Sequence, residues 1–129
     1  MQKNITLALI GLLILNCSKE NDNLNPNVIG TWNWVSSSGG IMGNTENPES
    51  TGNERKLEIS ADSLYFYLNG QLNYKTKYSI EVRESIIFNE PRTMIVNETG
   101  FKKIIDFNGD TLLLTGDCYD CYVNEYIKQ

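Results

Sequence analysis

The chain has 129 residues, 40% of them apolar, with 11 Lys+Arg against 16 Asp+Glu, no His and a net charge of −5. An acidic chain with scattered bases lacks the clustered cations on which nucleic-acid binding depends, so no nucleic-acid partner is expected. Without His there is no Ser-His or Cys-His catalysis and no His-ligated metal, and the length suits one domain.

The first residues read as an address. Lys3 supplies a positive start, and residues 5–15 form an apolar run interrupted only by Thr6 and Gly11. The run is shorter than the roughly 20 apolar residues of a membrane-spanning helix, and it matches the apolar core of an export signal. It ends in Ile14-Leu15-Asn16-Cys17, which resembles the lipobox of bacterial lipoproteins; Asn16 stands where Gly, Ala or Ser is usual. The resemblance implies a signal peptide over 1–16 and acylation of Cys17. Ser18-Lys19-Glu20-Asn21-Asp22 resembles the Lys-plus-acidic tag of Gram-negative lipoproteins sent to the outer face of the outer membrane. Several acyl chains, at about 0.8 kcal/mol per buried CH₂, would anchor the protein firmly. Residues 17–27 then form the lipidated Cys and a polar, flexible tether. The expected location is a lipid anchor in the outer membrane, at the cell surface.

From residue 28 to 129 the pattern has period two and predicts one β domain. A first strand runs over 28–36, with Gly30, Trp32 and Trp34 on one face. The stretch 36–53 holds Gly39, Gly40, Gly43, Pro48 and Gly52. It is too long for a tight turn and reads as a lid, a binding loop or a floppy connection. Leu57 and Ile59 alternate with polar residues, and so do Leu64, Phe66 and Leu68 with Tyr65 and Tyr67. Asn69-Gly70 is a strong hairpin signal. The return strand places Leu72, Tyr74, Thr76, Tyr78 and Ile80 on one face. Further strands are expected at 85–88, 93–96, 103–107, 110–115 and 121–127, with Asn108-Gly109 as a second hairpin turn. No sustained helical period appears. Eight to nine sequential strands predict an all-β, antiparallel up-and-down meander that closes into a small barrel and so removes its edges.

The Gly30-Thr31-Trp32 start, Asn108 to Leu114, and the Asp117 to Tyr126 ending with its Cys/Asp turn and aromatic strand resemble the short lipocalin-like domains of bacterial lipoproteins. The resemblance covers about 28–129. It implies a lipocalin-like barrel of about eight strands, plugged at one end by Trp32 beside Gly30, and it suggests a ligand-carrier role. In lipocalins an Arg near the end of the last strand packs over this Trp; here Lys128 is the only candidate. An eight-stranded barrel is just wide enough for side chains or one small ligand. Trp34, Phe66, Tyr74, Tyr78 and Phe88, pointing inward, would either fill the centre or line an aromatic pocket. Filling is the favoured expectation.

Cys118-Tyr119-Asp120-Cys121 is a C-x-x-C. In an exported protein a local disulfide between Cys118 and Cys121 is expected, with buried free thiols, redox chemistry or half a metal site as alternatives. Asp106, Asp110, Asp117 and Asp120 sit near turns, where Asp commonly caps, and they suggest neither a glycosidase pair nor a calcium loop. Lys75, Lys77, Lys102 and Lys103 read as solvated strand positions. Asn97-Glu98-Thr99 matches a glycosylation acceptor. No nucleophile–base pair can be named, so no enzyme, metal or cofactor is expected. The leading expectation is a monomeric, membrane-anchored lipoprotein whose barrel binds a small apolar or amphipathic molecule. The alternative is a solid-core interaction module for a protein or glycan partner, presenting Tyr65, Tyr67, Tyr122 and Tyr126.

Overall fold

Alternating apolar and polar residues become nine antiparallel strands in the computed structural model, which describes residues 26–129. The expected export signal, Cys17 and most of the expected tether lie outside the described residues. The strands are β1 (Gly30–Gly39), β2 (Asn44–Glu46), β3 (Arg55–Ile59), β4 (Ser63–Leu68), β5 (Gln71–Glu84), β6 (Pro91–Asn97), β7 (Lys102–Asn108), β8 (Thr111–Gly116) and β9 (Tyr122–Lys128). From β3 to β9 each strand pairs with the next, and β1 pairs with β3. β9 returns to β1 from Trp32↔Lys128 to Gly39↔Tyr122, which closes an eight-stranded antiparallel barrel. β2 is a short flap on the end of β1. No helix among the described residues is long and apolar enough to cross a membrane.

Turn chemistry sets the register. Asn69 (φ 50°) and Gly70 (φ 85°) form the two-residue turn between the paired Leu68 and Gln71, and both positions need positive φ in such a hairpin. The second hairpin is shifted by one residue from the sequence expectation. Asn108 pairs with Thr111, so Gly109-Asp110 make the turn.

One barrel end is closed. Trp32 is buried there, and its indole Nε1 donates to the Val28 carbonyl at 2.8 Å. Lys128 lies over the indole with Nζ 4.9 Å from the ring centroid, and it donates to the Ile29 carbonyl at 3.2 Å. Gly30 (φ +144°) leaves the space for this: a Cβ there would lie 2.9 Å from Lys128 Nζ. Above this plug, Leu57, Ile59, Leu64, Ile95, Leu112 and Leu114 fill the lower barrel.

Two sequence expectations need correction. The segment 85–88 is not a strand. β5 runs through Glu84, and the chain then turns across the outside of the barrel. Asp117, buried at the end of β8, holds that turn. Its carboxylate accepts from Ser85 Oγ (2.8 Å), from the Ile86 amide (3.0 and 3.1 Å) and from the Ile87 amide (3.4 Å). Ile87 then packs on Met94, Val96 and Ile104, a small second core on the outer face of β6 and β7. The stretch 36–53, expected as one long loop, is likewise built of short elements. It contains the end of β1, the flap β2 and a single helical turn, α1 (Pro48–Thr51). Asn47 and Ser50 cap that turn reciprocally, at 2.7 and 3.0 Å, satisfying donors that would otherwise be orphaned.

Burial opposes ionisation of Asp117, but the donors from Ile86, Ser85 and Ile87, helped by Lys102, outweigh it and hold the carboxyl below its ordinary value of 3.8. The charged form therefore stabilises the fold above about pH 3.8, and that contribution disappears as pH falls through the lower folded value. Urea unfolding from pH 7 down to 3 should show the midpoint dropping in acid for wild type and a flatter acid limb for Asp117→Ala. At pH 7 the variant should be less stable by about 1–3 kcal/mol, because three donors lose their acceptor. Gly30→Ala should destabilise by more than about 1 kcal/mol in the same assay, since Ala is strained at that φ.

Candidate functional site

The barrel opens at the end opposite Trp32, where β1, β4, β6 and β8 finish and β3, β5, β7 and β9 begin. There the interior widens into a cavity of about 570 Å³, with the buried Leu57, Leu64, Ile95, Leu114 and Tyr126 at its floor, Phe66 along it, and Tyr74, Asn97 and Phe101 nearer the rim. Side chains fill the lower barrel, as expected of a filled centre, and the open end keeps this space. A second space of about 440 Å³ sits at the mouth, lined by Ser37, Glu46, Asp120, Tyr122 and Asn124 among others. Arg55, Phe101 and Lys103 border both spaces.

The local causes are small residues and a break in strand parity. β1 carries a bulge between Trp34 and Ser36 in its pairing with β9. Below it Trp32 and Trp34 are buried; above it the buried side chain is Ser37. Ser37 Oγ accepts from Trp34 Nε1 at 2.8 Å and donates to Asn124 Oδ1 at 2.6 Å. A large indole is thus followed by a small hydroxyl on the inner face, and space opens. β5 adds to it. Its first half pairs with β4 and its second half with β6, so the strand passes from one neighbour to the other. Tyr74 and Thr76, on the first half, border the cavity.

The five residues expected to meet a ligand divide. Phe66 lines the cavity, and Tyr74 stands half-exposed at its rim, 5.8 Å ring to ring from Phe66. Trp34 is core instead, hydrogen-bonded to Ser37 and covered by Arg55 with Cζ 4.1 Å from its ring. Tyr78 packs against the core and donates its hydroxyl to the Ser60 carbonyl at 2.5 Å, away from the cavity. Phe88 is outside the barrel on the Asp117-held turn, under Arg92 at 4.5 Å. Its expected inward position followed from reading 85–88 as a strand.

Other residues gain a site role that sequence reading missed. Lys103, expected in solvent, occupies an inward position of β7 in register with Gly116 and Ile95. It forms no ion pair among the described residues, and burial pushes its pKa below the ordinary value. The signal was present in the alternation with Ile105 and Phe107. Arg55 reaches Glu46 at 3.7 Å across the mouth. Tyr126, expected on an exposed patch, is buried and lines the cavity, and burial, partly opposed by Arg55, raises its pKa to about 12. Asn97 spends its Oδ1 on the Thr99 and Phe101 amides at 3.0 and 2.9 Å, shaping the rim turn.

The cysteine expectation holds, since Cys118 and Cys121 are disulfide-bonded. The bridge sits in the β8–β9 turn at the mouth, against Gly116, where a Cβ would come within 2.7 Å of Cys121 Cβ. Asp106 is held outside the barrel by Arg92, whose Nη2 donates to both carboxylate oxygens at 2.9 Å. No cluster of three or more His, Cys, Asp or Glu suited to a metal occurs among the described residues. Comparison with protein-family models, with curated proteins and with solved structures returns no match.

Burial keeps Tyr126 neutral in the folded state between pH 10.0 and about 12, where the tyrosine of an unfolded chain has ionised. Its stabilising effect is complete below the ordinary tyrosine value of 10.0 and is lost as pH rises towards about 12. Tyr126→Phe should remove the late step near pH 12 from a tyrosinate absorbance titration and reduce the loss of stability in strong alkali.

Proposed function

We propose that this chain is a membrane-anchored lipoprotein whose lipocalin-like barrel binds a small apolar or amphipathic molecule. One observation carries the reading. The barrel holds an open cavity of about 570 Å³, within the roughly 300–1,000 Å³ range of ordinary ligand sites. The apolar lining by Leu57, Leu64, Ile95 and Leu114 suits burial of a hydrocarbon body. Phe66 and Tyr74 offer aromatic faces. The Lys128–Trp32 stack, with Gly30 beside it, supports the lipocalin-like reading of the closed end. The lipobox-like Ile14 to Cys17 supports the anchor, and the tag after it supports the outer membrane and the cell surface.

An interaction module for a protein or glycan is the second reading, and one feature favours it. Ile41 and Met42, at the tip joining β1 to β2, are 84% and 80% exposed. Exposed apolar side chains at a loop tip suit contact with a partner. Of the four tyrosines expected on such a surface, Tyr126 is unavailable because it is buried.

The closed barrel is complete within the described residues, so the test object is the chain 17–129 carrying Cys17→Ser. Native mass spectrometry after exposure to lipid and metabolite extracts should show a discrete adduct that denaturation releases. A clean unliganded mass across all extracts would reject the carrier reading and favour the partner reading. Incorporation of an alkyne-tagged fatty acid in cells should occur with wild type and vanish with Cys17→Ser.

A further inference from the structure

Two spaces meet at the open end, and their boundary is cationic. The inner one has Leu57, Leu64, Ile95 and Leu114 at its floor and Tyr74, Asn97 and Phe101 towards the rim; the outer one is lined by Ser37, Asn124, Asp120 and Glu46 among others. Lys103 and Arg55 border both. The two cations are not equivalent. Arg55 has Glu46 at 3.7 Å and the Trp34 ring beneath it. Lys103 has only aromatic faces near its ammonium, Phe66 at 5.7 Å and Phe101 at 5.9 Å from the ring centroids. A charge withdrawn from water without a counter-ion is destabilising unless something pairs with it. Here nothing in the described fold does so, in a chain whose overall charge is −5. Lys103 stands half-buried at the neck between the two spaces with no ion pair among the described residues, the placement of an anion receptor.

Resting on the carrier reading above, we propose that the cavity selects an amphipathic monoanion: a carboxylate head held at the neck by Lys103 and steadied by Arg55, with an apolar tail running inward over Phe66 towards Leu57 and Leu114. Glu46 and Asp120 line the outer space, and their repulsion grows with the charge of the ligand, so a phosphate dianion is disfavoured relative to a carboxylate. An aliphatic tail suits the inner lining, because the available faces there are leucine and isoleucine side chains with Phe66 along one wall.

The test uses three probes of one chain length on the mature Cys17→Ser protein, by isothermal titration calorimetry: decanoate, decan-1-ol and decyltrimethylammonium. Decanoate should bind about 10- to 100-fold more tightly than decanol, the scale of one charge-assisted hydrogen bond, and the ammonium should bind worst. Lys103→Met should bring decanoate down to the decanol level while decanol binding and the melting temperature hold or rise, and Lys103→Arg should restore the preference. Decanol binding as tightly as decanoate, or a preference that survives Lys103→Met, would overturn the head-group assignment while leaving the carrier reading intact. Failure of all three probes, together with no adduct from extracts, would overturn both.

Discussion

Closure of β9 onto β1 is the constraint on which the rest depends. The seam runs from Trp32↔Lys128 to Gly39↔Tyr122 and has to accommodate two indoles and a bulge. At its lower end Lys128 is brought over Trp32 only because the two residues are register partners. At its upper end the bulge past Trp34 changes which residues face inward, and Ser37 and Asn124 meet inside the barrel. A barrel of eight strands has little interior to spare. Whether it is solid or hollow therefore rests on a few side chains at this seam and across from it.

The distribution of side-chain volume follows. Near the closed end Trp32 is joined by Phe107, with ring centroids 6.1 Å apart, and by Leu112. Near the open end the inward residues are small or polar: Ser37, Gly116, Asn97, Asn124. Lys103 stands opposite Gly116 in the β7–β8 ladder, so a long side chain is accommodated by the absence of one across from it. The same end carries the disulfide turn, the β2 flap and the rim aromatics. The Cys118–Cys121 bridge and the Asn97-centred turn anchor the rim.

The outside of the barrel carries a second device. Ile104 and Ile105 are both buried, one outward and one inward, because the turn 85–88 covers the outer face of β6 and β7. Asp117, 32 residues away along the chain, holds that turn through three donors. A charged acceptor bonded to several backbone amides is among the stronger local anchors a fold has. It makes a loop into a wall and sends Ile87 to the outside core.

Much of this was legible from residue order alone. Period-two alternation, the Asn69-Gly70 turn, the sequential hairpins and the C-x-x-C are local signals, and local signals are set by dihedral preference and nearest-neighbour spacing. They sufficed for an all-β meander, its closure and the disulfide, while the Trp32 plug with Lys128 above it came from the resemblance to lipocalin-like domains. They did not suffice for the site. Phe88 was expected inside because Ser85 to Phe88 looks like a strand, and only the distant Asp117 turns it outward. Tyr78 was expected to meet a ligand, and only the approach of the Ser60 carbonyl takes up its hydroxyl. Lys103 was expected in water because Lys usually is, although its alternation with Ile105 pointed inward. The amino-acid order determined which residues share a face of each strand. The tertiary structure decided which face is inside at each level of the barrel, because one bulge or one anchored turn shifts strand parity, and the volume left at the centre depends on residues that meet only when the barrel closes.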